Sequence, residues 1–331
     1  MEGATGIDVS MLKGKKLLNM DSEEEGVMLA SCAGGCRADV KLPVERETVS
    51  GTKLTVSLSG LTGGHSGSEI DKGRGNANTL MSRLLRDASA PVAIASIEGG
   101  RKDNAIPREC TAQIIVAPDE AAAVKSSIAQ AAAEIAEEFK TSDPDIKLTV
   151  SEETDCSESA ISAKDSARVI ALIEALPNGI IRMSREIDKL VETSLNLGVL
   201  KSDDAAVTLR YAVRSSVGVA KKSLKNQLVC IAGAFAAEVT FEGDYPAWEY
   251  KKDSKLREDM VRIFEEMYGK KPTVEAIHAG VECGLLSGKI EGLDCISMGP
   301  DMYDIHTTEE RLSISSAKRS YEYILRVIAC K

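Results

Sequence analysis

The sequence predicts an α/β protein in which an α+β insert, built from two β-α-β-β-α-β-like units, interrupts a domain of alternating helices and strands. Three observations carry this prediction. Residues 52–60 place an apolar side chain at every second position, the period of a half-buried strand. From there to about residue 151 the order is strand, helix, two strands, helix, strand, and a fainter version runs from 163 to 242. Beyond Tyr245-Pro246-Ala247-Trp248, which holds the only tryptophan, helices and strands alternate to the C-terminus.

The elements follow in order. Residues 16–20 read as a short strand ending at Asp21, and a polar, glycine-rich stretch continues through Gly35. The first unit comprises the strand at 52–60, a helix at 76–87, strands at 92–96 and 111–117, an alanine-rich helix at 120–140 and a strand at 146–151. The second comprises a helix at 163–175, an extended stretch at 179–183, strands at 192–199 and 205–214, a helix at 217–237 and a strand at 238–242. The C-terminal part offers helices at 254–268, 279–287 and 313–330 and strands at 273–277 and 294–298. It needs further strands to pair with. The predicted organisation is therefore residues 1–35 and 246–331 as one discontinuous domain and 36–245 as an insert. No residue-level repeat accompanies the two units.

At 331 residues and a formal charge of −10, the chain is long enough for two cores and lacks the clustered Lys and Arg of a nucleic-acid surface. The acidic run Glu23-Glu24-Glu25 reads as a solvated turn. Eight cysteines scattered over a large chain without a secretory leader read as reduced thiols. Cys32 and Cys36 lack the second Cys or His pair that a zinc clamp needs. No apolar run reaches the roughly 18 residues of a membrane span. A soluble, cytoplasmic protein with no nucleic-acid or membrane partner is expected.

Taken singly, the polar residues of interest have ordinary readings. Asp21 would cap a turn, His65 and Asn104 would sit in turns, and Arg214 would form an exposed ion pair. His306, one of three histidines, would be a surface or hydrogen-bonded residue. Gly280 would loosen the chain before a helix, and His278 and Glu282 would be structural.

Read together, six blocks change these readings. They are residues 17–26 (LLNMDSEEEG), 63–78 (with Gly63-Gly64-His65-Ser66-Gly67 and Arg74-Gly75-Asn76-Ala77-Asn78), 103–109 (DNAIPRE), 214–216, 276–284 (AIHAGVECG) and 297–310. This set resembles the aminoacyl-histidine dipeptidases, a family of two-zinc exopeptidases, over essentially the whole chain. The resemblance implies a partial di-zinc exopeptidase catalytic domain with an inserted lid. It implies Asp21 and His306 as zinc ligands, one to each ion. It makes His65 the lid histidine that polarises the scissile carbonyl, a role typically worth a few kcal/mol. Asn104 would face the substrate backbone, Arg214 would grip the C-terminal carboxylate with its two-pronged guanidinium, and Gly280 would line the substrate.

The resemblance also sets Met1-Glu2-Gly3-Ala4 against an interior stretch of the family. Its His-x-Asp motif, bridging Asp and Glu-Glu pair would precede residue 1. The expectation is thus a zinc-dependent dipeptidase acting on Xaa-His and other dipeptides, with metal binding and activity impaired in this chain. Two alternatives stand beside it. One is a related di-zinc aminoacylase or carboxypeptidase, and the other a non-catalytic, lid-dominated peptide binder. The lid surface is expected to support a homodimer.

Overall fold

Among the described residues, one nine-stranded and one four-stranded sheet organise the chain, with two small two-stranded pairs beside them. The computed structural model describes residues 2–305 and 307–330. In chain order the elements begin with α1 (Glu2–Gly6), β1 (Lys16–Asn19), β2 (Val27–Cys32), β3 (Gly34–Pro43) and β4 (Arg46–Ser59). There follow β5 (Gly64–His65), α2 (Ala77–Arg86), β6 (Ala93–Gly99), β7 (Ala105–Ile106), β8 (Cys110–Val116), α3 (Ala121–Glu138), β9 (Lys147–Ile161) and α4 (Ala163–Ala175). The second half holds β10 (Gly179–Met183), β11 (Val191–Ser202), β12 (Ala206–Ser215), α5 (Gly218–Ala234), β13 (Glu238–Tyr245) and α6 (Lys255–Tyr268). The chain closes with β14 (Thr273–Ile277), α7 (Glu282–Lys289), β15 (Asp294–Ser297), β16 (Met302–Tyr303), β17 (Arg311–Leu312) and α8 (Ile314–Ala329).

The large sheet runs β13-β3-β12-β11-β6-β8-β4-β9, with β10 also on β11. It is two copies of one motif joined edge to edge. The first copy, β4-α2-β6-β8-α3-β9, lies in the spatial order β6-β8-β4-β9. The second, β3-α4-β11-β12-α5-β13, lies as β11-β12-β3-β13. The first copy is inserted between β3 and α4 of the second, so the second begins before the first. The stretch up to Gly35, expected to be a polar, glycine-rich connection, instead holds regular strand. Val27–Cys32 is a strand whose interior is mostly covered, so it shows no in-out alternation, and β3 starts at Gly34. β4 likewise begins at Arg46 rather than 52, and the helix read at 279–287 is Glu282–Lys289.

All four helices of the large sheet cover one face. Val40 and Leu42, Leu54 and Val56, and Leu195 and Leu197 point to that face and bury against α2 to α5. The alternate residues therefore point to the open face, which decides where polar chemistry can sit. The junction of the two copies is short, with only Leu200 opposite Gly99 and Lys201 opposite Glu98. Buried asparagines seal it. Asn76 caps α2 by accepting from the Asn78 and Thr79 N–H groups, and its amide donates to Asn196 Oδ1 and the Leu197 carbonyl, both at 3.1 Å.

The four-stranded sheet, β1-β15-β2-β14, draws strands from both ends of the chain. α6 and α8 pack on it through Met260, Ile263, Phe264, Tyr323 and Val327, with Phe264 edge-on to Tyr323 at 5.4 Å. The two connections between the sheets are bound to each other. Cys32 and Trp248 exchange backbone hydrogen bonds of 3.0 and 3.1 Å. Gly34 has no room for a side chain, since a Cβ there would lie 2.4 Å from the Ala247 nitrogen.

Candidate active site

The open face of the second copy carries a polar row. Gly35 of β3, Arg214 of β12 and Ser194 of β11 are direct cross-strand neighbours, and Tyr245 of β13 stands opposite Gly35. Arg214 is only 9% exposed. No carboxylate among the described residues pairs with it, and its Nε has no partner. Its single bond among the described residues is a long one, from Nη1 to Tyr245 Oη at 3.5 Å. A guanidinium held this way carries a desolvation cost of the order of several kcal/mol that an anionic ligand would offset.

His65 is supplied by the first copy. β5 pairs with β7, setting His65 opposite Ala105. Gly63 and Gly64 both have positive φ, 65° and 141°, which bends the loop sharply. Glu69 accepts the His65 backbone N–H at 2.8 Å and is itself held by Arg74 at 2.9 Å. The imidazole Nδ1 accepts from the Ser68 N–H at 3.1 Å and the Gly67 N–H at 3.3 Å. A neutral ring in that setting carries its proton on Nε2. Burial, and then the Arg214 charge, lower the His65 pKa, which keeps the ring neutral near pH 7.

Asn104 lies in the turn before β7, with its side chain exposed. Asn196 fixes that turn by donating to the Asp103 and Ala105 carbonyls at 3.0 and 2.9 Å. The Ser66 N–H donates to the Asn104 carbonyl at 2.9 Å, which ties the His65 loop to the same turn. Asn104, Arg214 and Tyr245 line a shared cavity of about 260 Å³ with Arg37 and Asp103.

His278 is buried just beyond β14 and its Nε2 lies 2.7 Å from Ser194 Oγ. Burial pushes its pKa down to about 3, and Arg214 and His65 add to the shift. A Cβ at Gly67 would meet the His278 carbonyl at 2.6 Å and the His65 ring at 2.9 Å, so the two segments are in direct contact. Gly280 follows two residues later and is half-buried; Glu282 is exposed at the start of α7. His65, Asn104, Arg214 and the segment of Gly280 are thus assembled in one region. The ordinary reading of Arg214 as an exposed ion pair does not hold.

Asp21 is elsewhere. It is exposed beyond β1, and the turn after it zippers onto the segment after β15. The Ser22 N–H donates to the Met298 carbonyl, the Met302 N–H to the Glu23 carbonyl, and the Glu25 N–H to Asp301 at 2.8 Å. Arg319 grips both Glu25 oxygens, so this acidic residue is engaged and not merely solvated. That segment leads toward His306, which lies outside the described residues. β1 and β15 run parallel, β2 opposes β15, and β14 follows β2. Asp21 and His278 therefore leave the small sheet at opposite ends. Among the described residues, no group of three or more His, Cys, Asp or Glu side chains converges to hold a metal ion. Asp301 and Asp304 are already occupied, by the Glu25 N–H and by Arg311. The described residues do not fit a two-zinc centre by themselves.

Ser194, Asn196 and Tyr245 escaped the sequence reading. The parity of β11 and β12 is the available signal for the first two, since Ser194 and Asn196 alternate with the core residues Leu195 and Leu197 on the side that Arg214 also occupies.

Residues 56–143 match the M20 family's peptidase dimerisation domain. The cytosol non-specific dipeptidase of Escherichia coli K12 is 34% identical over 320 residues, covering 96% of this chain. The chain spans 66% of that relative's length. The crystal structure of aminoacylhistidine dipeptidase from Vibrio alginolyticus superposes with a TM-score of 0.92 at 32% identity, covering 99% of this chain and 68% of that one. At that identity, coverage and structural agreement, the chain belongs to the M20 peptidase family, as a homologue of its aminoacyl-histidine and non-specific dipeptidases.

Proposed function

We propose that this chain forms the substrate-recognising part of a dipeptidase. The observation that carries the reading is Arg214, a buried guanidinium with no acid partner among the described residues, near a histidine whose Nε2–H none of them engages. In this reading Arg214 takes the C-terminal carboxylate of a dipeptide. His65 donates its Nε2–H to the carbonyl oxygen of the bond to be cleaved, where negative charge develops during hydrolysis. The Asn104 amide orients the substrate backbone, and the Gly280 backbone lines the ligand. A clamp for a free carboxylate one residue beyond the scissile bond favours dipeptides over longer chains.

The family resemblance assigns two zinc ions to the hydrolytic step, with Asp21 and His306 as one ligand each. The described residues do not complete such a centre by themselves. Asp21 lies at the opposite end of the small sheet from His278, whose ring contacts Ser194 beside Arg214. A homodimer formed through the region of residues 56–143 and a cytoplasmic location complete the proposal.

Calorimetric titration of the chain with L-alanyl-L-histidine tests it, beside an N-acyl amino acid and a tripeptide and with histidine release followed with and without zinc. The dipeptide is expected to bind best, and Arg214→Met to weaken it about 100-fold, the scale of a lost charged hydrogen-bond pair. Equal binding by Arg214→Met would overturn the reading. Binding without histidine release at any zinc concentration would favour peptide recognition alone.

A further inference from the structure

We infer that Tyr245 is a second carboxylate-binding residue, its phenol O–H donating to the same ligand carboxylate that Arg214 grips. The inference rests on the Arg214 reading above and adds a partner to it. Tyr245 Oη and Arg214 Nη1 are 3.5 Å apart, too long for a strong mutual bond. The spacing suits two donors that converge on the two oxygens of one carboxylate. Where Arg214 donates to the phenol oxygen, the phenol keeps its own proton for an acceptor, and no described group takes it. Burial raises the Tyr245 pKa, so the phenol remains a donor across the neutral range.

The position of the ring is built into the fold. Tyr245 stands opposite Gly35 on the open face, and a Cβ at residue 35 would lie 2.6 Å from Tyr245 Oη and 2.9 Å from Cζ. Any side chain there would push the phenol away from Arg214. Behind it, Lys221 of α5 is 7% exposed and donates to the Tyr245 carbonyl at 2.5 Å and to Asp244 at 2.6 Å, which fixes the backbone that carries the ring. The other acids lining the cavity do not compete for Arg214. Asp103 is paired with Arg37 at 2.9 Å, and Glu242 lies 3.5 Å from the same arginine. The cavity is therefore left with one unopposed cation and one unopposed O–H donor, side by side. The ligand class is an α-carboxylate, as on the free C-terminus of a dipeptide.

The test compares L-alanyl-L-histidine with its C-terminal amide on the full chain, with chelator present to prevent hydrolysis. Wild type is expected to bind the free acid about 100-fold more tightly than the amide, and Arg214→Met to lose that preference. Tyr245→Phe keeps the ring and removes only the hydroxyl. It is expected to bind the acid about 10-fold more weakly and the amide as wild type does. Wild-type binding of the acid by Tyr245→Phe, with the Arg214→Met loss intact, overturns the Tyr245 inference alone. An equal loss for acid and amide makes the phenol structural and overturns it too. No preference in wild type removes the carboxylate site altogether, and the Arg214 reading with it.

Discussion

Arg210 and Arg214 stand four residues apart on one strand, on the same face, in opposite situations. Across from Arg210 is Asp39, and the two form a two-pronged ion pair with bonds of 2.8 and 2.7 Å. Across from Arg214 is Gly35, which offers no side chain. One arginine is 40% exposed and neutralised, while the other is buried and unopposed. The difference separates a structural cation from a recognition cation. On a sheet face, that distinction is made by the cross-strand neighbour, not by the arginine. The two copies of the sheet motif repeat the lesson. The open face of the first bears satisfied ion pairs such as half-buried Lys53 with exposed Glu153 at 2.7 Å. The open face of the second is covered by the His65 loop and the Asn104 turn, both supplied by the first.

The comparison can be broken most forcefully with pH. The unopposed Arg214 helps to lower the pKa of His278 and His65, and Arg210 is not among the causes at either. With a folded pKa of about 3 against 6.5 when unfolded, His278 binds a proton in the unfolded chain that the folded chain excludes between those values. Above pH 6.5 the group is neutral in both states and contributes no pH dependence. Stability should then fall as pH drops through that window, by about 1.4 kcal/mol per pH unit from this group. Denaturant titrations of wild type and His278→Gln from pH 7 to 4 check this, and parallel curves would refute it. Histidine NMR titrations should also show both pKa values rising in Arg214→Met and staying put in Arg210→Met.

Next in size is stability at neutral pH. Arg214→Met removes an uncompensated buried charge and should stabilise the ligand-free chain by about 1–3 kcal/mol. Arg210→Met strips Asp39 of its partner and should cost about 1 kcal/mol, discounted for the arginine's exposure. Opposite signs in urea unfolding are the signature; a loss at both positions would erase the distinction. The smallest effect is expected on the first copy's open face, where Lys53→Met should change stability by no more than about 1 kcal/mol.

Much of this was legible in the chain. The alternation in β4 and the long apolar periods of α3, α6 and α8 follow from local chemistry, and the three helices fall close to their expected bounds. The glycine-flanked His65 and the DNAIPRE segment read locally as turns, and only the family resemblance gives them a role at a site. β2 was hidden because coverage on both faces removes the alternation that announces a strand. Tyr245 and Ser194 were hidden because a tyrosine and a serine in strands are ordinary residues until their neighbours are known.

By itself, then, the sequence determined most helices and the alternating strands, since periodicity and turn chemistry act between residues close in the chain, while its quoted blocks carried the family resemblance. The nesting of one sheet motif within the other was decided only by tertiary structure. So was the isolation of Arg214, because cross-strand pairing sets Gly35 against it and Asp39 against its neighbour. A charge is defined by what surrounds it, and for Arg210 the deciding neighbour, Asp39, is 171 positions away in the chain.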